Sequence, residues 1–397
     1  MDIQFSNLIT FNGLENLDTI KGDLAIQFNE ALSNLNGLTN LSHVGNVFSL
    51  FDNPLITDLS GLDNLETIGT ILVIAQQPGL TSLQGLNNLK SVGNSDIAPF
   101  GRGVYIANNP SLTNLSALGN LQTIKGRLSL YGNNALTSLT GLEQIITLDT
   151  LHIEENGALV NLNGLNNLNS VEGNIVIHSN AALNSLSALS NLHSIRSDVA
   201  EAGLSISGNN NLQSLAGLEN LTILEGHLSI TASFGLQNLQ GLEGVTGVKS
   251  LELWENGNLN SLSGLDSLRT VEDYILIQNN NSLTNLQGLN QLESAGGLSI
   301  WTNLLLNDLA ALESLNYIDK RVNIWNNPSL SDCSIFSVCK QLLHKPGDIA
   351  IRDNAPGCNS LAEVELECNG IPVLVRVLRD SDGDCEPADA DAPATGV

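Results

Sequence analysis

Positive charge is scarce in this chain. Lys and Arg total 15 against 41 Asp and Glu over 397 residues, a net charge of −26. Nucleic acid and anionic membrane faces call for a basic surface, so neither is expected as a partner. Aromatic residues make up 4%, with three Trp, and the one Met is Met1. No apolar run approaches the roughly 18 residues of a membrane span. No signal peptide is read either: Met1-Asp2-Ile3 runs straight into patterned sequence, as expected of a chain trimmed ahead of its repeats. The sequence contains no G-x-S-x-G, no H-E-x-x-H and no phosphate loop. Charged residues at 14% and hydrophobic ones at 42% nevertheless describe a folding chain rather than a disordered one.

What is present is repetition. The string L-x-x-L-x-G/A-L-x-x-L-x-x-I starts at Leu8, Leu32, Ile56, Leu80, Leu112, Leu136, Leu159, Leu183, Leu212, Leu236, Leu259, Leu283, Leu306 and Leu330. The spacing is 23 or 24 residues except at two insertions, residues 95–102 and 197–201, each ahead of a strand. Such a period predicts a coil stacked turn on turn. Ahead of each leucine block lies a short alternating run ending in Asn, such as LSLYGN from Leu128 to Asn133. Alternation of period two predicts a strand with one buried face, for example Leu24 with Ile26 and Ile275 with Ile277. Successive coils place these strands side by side in one direction, so the sheet is parallel. The run's last position is Asn in twelve of fourteen repeats, from Asn29 to Asn354, with Gln77 and Ser233 the exceptions. An inner ladder of amides bonding turn to turn explains that constancy. The column Leu14, Leu38, Leu62 and its successors to Leu312 is expected to be core.

The repeat, written NLxSLxGLxNLxxIxGxLxIxxN and seen from Leu212 to Ser233, resembles the receptor L domain. That is the leucine-rich-repeat-like β-helix of insulin and EGF receptor ectodomains and of related bacterial and fungal surface proteins. The resemblance spans about residues 8 to 368. It implies a right-handed parallel β-solenoid of about 14 coils and a secreted or cell-surface recognition module without catalysis.

Cys333 and Cys339 take two leucine columns of the fourteenth repeat, and Cys358 and Cys368 follow one coil later. Two disulfides closing a cap are expected, and the pairing Cys333–Cys358 with Cys339–Cys368 is favoured because each would join adjacent coils. A zinc site is the competing reading, though a C-x₂₋₄-C pair is missing. Asn359 to Glu363 reads as a helix start with Ser360 and Glu363 forming a capping box. The organisation is therefore a solenoid over 1–332, a cysteine cap over 333–370, and a strand (Ile371 to Leu378) with an acidic Asp/Ala/Pro tail over 371–397. Asp380, Asp382 and Asp384 have the spacing of the first ligands of a calcium loop, so Ca²⁺ competes there with a plain solvated linker. Cys385 makes the cysteine count odd and points to a partner beyond Val397.

Function is expected on outward positions. One outward column reads Gln27, Phe51, Ala75, Ala107, Tyr131, Glu154, His178, Ser207, Thr231, Trp254, Gln278, Trp301, Trp325 and Arg352. All three Trp fall in it, and Glu252 lies in the neighbouring column. Trp254, Gln278, Trp301, Trp325, Arg352 and Glu252 are the candidate ligand-binding residues, because exposed Trp stacks on sugars or on a partner's apolar groups. A stack that only stabilises the sheet is the alternative for Trp301 and Trp325. His152, Glu154 and His178 face one way on adjacent strands, an arrangement open to a transition metal. In the longer insertion, Phe100 and Arg102 are candidate contacts.

The expected role is adhesion or recognition of a glycan or extracellular protein by a monomer, without cofactor. A cell-surface spacer is the alternative. Two further classes rank below these. A polysaccharide-active enzyme would need a cleft, and carboxylate pairs such as Glu154 with Glu155 lie on an open sheet. An ice-binding face would need regularity, and Thr57, Thr81, Thr113 and Thr137 give way to Val160, Asn184, Gln213 and Gln237.

Overall fold

The computed structural model describes residues 1–93, 102–196, 203–344 and 346–370. The chain is a parallel β-solenoid of about fourteen turns that divides into two units, Met1–Glu252 and Leu253–Val397.

In the first unit, Asp2–Gln4 forms a partial coil and pairs in parallel with Leu24–Gln27, Ile3 opposite Ile26. The register then repeats turn by turn, through Ile26 opposite Leu50, Leu50 opposite Ile74, and onward to Ile206 opposite Ile230. The inward pairs from Leu24 and Ile26 onward are buried, as are the leucine columns from the second repeat on. In the first repeat Leu8, Leu14 and Leu17 are only half-buried, so Leu14 is not the core residue expected of it, because a partial coil packs on them in place of a full one. From Thr19–Ile20 to Ile223–Leu224 the turns also hold a second strand of two residues, such as His43–Val44 and Thr67–Ile68, and these pair in two separate parallel sheets, of five and four strands. Two residues are too short for an alternation signal, and the sequence does not announce these strands.

The Asn column is the inner ladder. Asn133 shows the pattern: its Nδ2 donates to the carbonyls of Ile106 (2.8 Å) and Tyr131 (3.2 Å), and its Oδ1 accepts from the Asn109 backbone N–H (3.2 Å). Gln77 keeps its place, its Oε1 accepting from the Asn53 backbone N–H at 3.1 Å. The residue before the ladder position adopts positive φ in turn after turn, including Phe28 (56°), Asp52 (51°) and Thr302 (56°).

The G/A choice in the motif selects between two turns. Gly61 has φ +108°, and a Cβ there would strike the Leu35 carbonyl of the preceding turn. Where Ala replaces Gly, the same stretch becomes a 3₁₀ turn, at Ser116–Leu118, Ser187–Leu189 and Ala310–Leu312. In several Gly turns a carboxylate two residues later accepts the glycine N–H, Asp63 Oδ2 from Gly61 at 2.9 Å, Glu219 Oε2 from Gly217 at 2.8 Å and Asp266 Oδ2 from Gly264 at 2.8 Å, and in others an Asn amide oxygen does, as Asn87 Oδ1 from Gly85 at 3.2 Å. Glu15 does the same for Gly13, and that bond holds its carboxyl below the usual range. Part of the negative charge is thus structural. A second, exposed Asn ladder also runs through the motif, with Asn64 Nδ2 on the Thr39 carbonyl (2.7 Å) and Asn120 Nδ2 on that of Asn87 (2.7 Å).

The second unit is built of the same kind of turn, with strands Thr270–Gln278, Leu298–Trp301, Val322–Trp325 and Ile349–Arg352. Its cap carries the disulfides Cys333–Cys358 and Cys339–Cys368, so the zinc reading of these cysteines falls. The fourteenth repeat differs from the others. Helix α1 (Phe336–His344) takes the place of the third and later leucine columns, burying Val338, Cys339 and Leu342. Helix α2 (Leu361–Gly370) starts as expected, with Glu363 N–H donating to Ser360 Oγ at 3.3 Å. The return bonds differ from a standard capping box: Glu363 Oε2 accepts from Gly357 N (2.7 Å) and Asn359 N (3.0 Å).

Candidate functional site

The outward column of the second unit is built by strand register. Gln278, Trp301, Trp325 and Arg352 stand directly opposite one another on four neighbouring strands. Trp254 joins them one strand earlier. The Glu255 N–H donates to the Gln278 carbonyl at 3.0 Å, the same bond that Asn279 makes to Trp301 and Asn326 to Arg352. Solenoid geometry alone therefore brings these five side chains into one row.

Within the row, Trp301 and Trp325 pack with ring centroids 4.5 Å apart and planes tilted by 42°. The Arg352 guanidinium covers Trp325 at 4.6 Å and bonds Asp353 Oδ2 at 2.7 Å. Both rings are half-buried, whereas Trp254 is 42% exposed. The Trp301 indole N–H is buried without an acceptor, so a molecule lying on this surface meets the ring, not its donor. Polar side chains flank the row: Asn323 Nδ2 donates to Ser299 Oγ (3.3 Å), and Asn326 Nδ2 to Thr302 Oγ1 (3.2 Å). Aromatic surface with amides and hydroxyls beside it suits stacking on, and hydrogen bonding to, a molecule laid across it.

Glu252, in the first unit, accepts from Ser229 Oγ at 3.0 Å. His152, Glu154 and His178 share a face, with Glu154 opposite His178. The His152 ring nitrogens are already engaged, Nδ1 with Glu154 Oε1 (3.2 Å) and Nε2 with Asn174 Oδ1 (3.3 Å). Burial, with the Arg127 charge second, holds the His152 pKa below its usual value despite that carboxylate. Among the described residues no three His, Cys, Asp or Glu are arranged to hold a metal. Arg102 stands immediately before the strand Gly103–Ala107, and its carbonyl accepts the Arg127 N–H at 3.0 Å. Phe100, residues 197–201, the strand from Ile371, Asp380, Asp382, Asp384 and Cys385 lie outside the described residues.

One aromatic group escapes the sequence reading. Phe5 and Phe28 stack with centroids 4.8 Å apart and planes within 3°, and Phe28 meets Phe51 edge-on at 5.2 Å. Phe5 is 76% exposed. The signal was available, since Phe5 and Phe28 hold the same repeat position one turn apart, but Phe rarely adopts the positive φ found there (49° and 56°).

No curated protein sequence matches the chain. Among solved structures, an internalin from Listeria monocytogenes is 18% identical, with a TM-score of 0.39 over 80% of this chain and 76% of that one. A leucine-rich repeat protein from Bacteroides ovatus is 11% identical, with a TM-score of 0.27 over 78% and 85%. Residues 146–239, a stretch that includes the Leu212 to Ser233 repeat, match the model of the Receptor L domain family, and the resemblance carried by the repeat motif is borne out there.

Proposed function

We propose that the protein is a non-enzymatic extracellular recognition module that binds a glycan or protein through the aromatic row of its second unit. The observation that carries this reading is the alignment of Trp254, Trp301 and Trp325 with Gln278 and Arg352 in one outward column. All three Trp of the chain stand on this row, and Trp and Arg are the residues enriched where binding energy concentrates. Receptor L and leucine-rich solenoid families are typically non-catalytic ligand binders, which supports the same reading. The two disulfides favour an oxidising compartment, hence secretion or a cell surface. Among the described residues no helix is long and apolar enough to cross a membrane.

A spacer would bind nothing through this row. The two roles separate in a screen of glycan and surface-protein arrays with the wild type and a Trp254/Trp301/Trp325→Ala variant. Circular dichroism would verify that the variant folds. Recognition predicts array ligands that the folded variant loses; equal binding by both proteins sinks the reading.

A further inference from the structure

We infer that the row takes an uncharged, extended oligosaccharide lying across the strands, with one sugar on Trp254 and a second on the Trp301/Trp325 pair. This rests on the reading of the row as a binding strip and names its ligand class.

Spacing comes first. Trp254 and Trp301 are two strands apart, with Gln278 between them. Strands repeat at about 4.8 Å, so the two stacking surfaces are about 9.6 Å apart along the strip. That is about the length of a disaccharide unit in an extended glycan. Gln278, at the midpoint, carries both an amide donor and an acceptor for ring hydroxyls. Trp301 and Trp325 pack on each other at 4.5 Å and Arg352 covers Trp325, so the pair presents one ring surface rather than two.

Chemistry of the surface comes second. The buried indole N–H of Trp301 leaves ring surface as the contact, which is what a sugar's C–H face uses. Ser299, Thr302, Asn323 and Asn326 line the row with groups that bond hydroxyls. A protein partner would call for a continuous apolar centre, and these flanks interrupt one.

Charge comes third. The protein carries −26, and the row's one cation, Arg352, is committed to Asp353 and to the Trp325 face. Uronate or sulfated chains would approach against a like field, and the one cation on the row is already engaged.

Because all three Trp stand on the row, intrinsic fluorescence reads it without labels. The test titrates neutral gluco-, manno- and xylo-oligosaccharides, from dimer to hexamer, with oligogalacturonides as the acidic control. We expect a saturable change with a neutral series, and at least tenfold tighter binding by the tetramer than by the dimer. That binding should be little altered by salt. Trp254→Ala should remove the length gain and spare the dimer. The inference is overturned if the acidic series binds more tightly than every neutral one, or if no neutral series alters the emission. It also falls if an array ligand lost by the Trp variant proves to be a protein or basic peptide; the strip reading then survives. Array ligands retained by that variant overturn both.

Discussion

The Arg352 guanidinium sits 4.6 Å over the Trp325 ring while its Nη1 holds Asp353 Oδ2 at 2.7 Å. One cation is thereby shared between a π-face and a carboxylate, both close to solvent. Exposed contacts of each kind contribute about 1 kcal/mol or less. Arg352→Ala should therefore lower stability by no more than about 1 kcal/mol in denaturant titration. It should also uncover Trp325 and move the emission to the red. An unchanged spectrum would mean that the guanidinium does not cover the ring in solution.

The two Asn ladders differ in exposure, and mutation should separate them. Asn133→Ala strands the buried Asn109 N–H and takes the amide donor from the Ile106 carbonyl inside the solenoid, while the Tyr131 carbonyl keeps the Asn108 N–H. The cost is expected on the order of 3 kcal/mol. Asn120→Ala removes one bond at the surface, where water takes over, and should cost under about 1 kcal/mol. Similar losses at both sites would contradict the inner ladder as a source of stability.

Legibility followed repetition. The inward pairs, the Asn ladder and the leucine columns recur every 23 or 24 residues, so each turn restates the same constraint and errors cannot accumulate. The Trp row follows from that register alone. Helix α1 stayed hidden because Leu330, Cys333, Phe336, Cys339 and Leu342 keep the three-residue spacing of the solenoid loops, which is also the spacing of one helix face. The tilt of Trp301 on Trp325, the orphaned indole N–H and the face-to-face stack of Phe5 on Phe28 depend on rotamers that no residue pattern encodes.

The disulfides tie together residues 25 and 29 positions apart, Cys333 to Cys358 and Cys339 to Cys368. Loop-closure entropy assigns each about 3.5 kcal/mol. The second joins α1 to α2, so Cys339→Ser with Cys368→Ser should speed hydrogen exchange in α2 well before it affects the leucine turns of the first unit. Uniform exchange over both would show that the bond does not stabilise the cap locally. Non-reducing peptide mapping checks the pairing itself.

His152 supplies a pH dependence of defined sign. Its folded-state pKa is depressed by burial, then by Arg127, while in the unfolded chain it titrates near its ordinary value of about 6.5. As pH falls through that value, the unfolded state takes up a proton that the folded state refuses. Stability is therefore full above about pH 6.5 and declines below it until the depressed folded value is passed. His152→Gln removes the titrating group and keeps a polar side chain between Glu154 and Asn174. Unfolding free energies of both proteins between pH 7 and 5 should diverge, the wild type losing more on acidification. Parallel curves would show that His152 does not titrate differently in the two states.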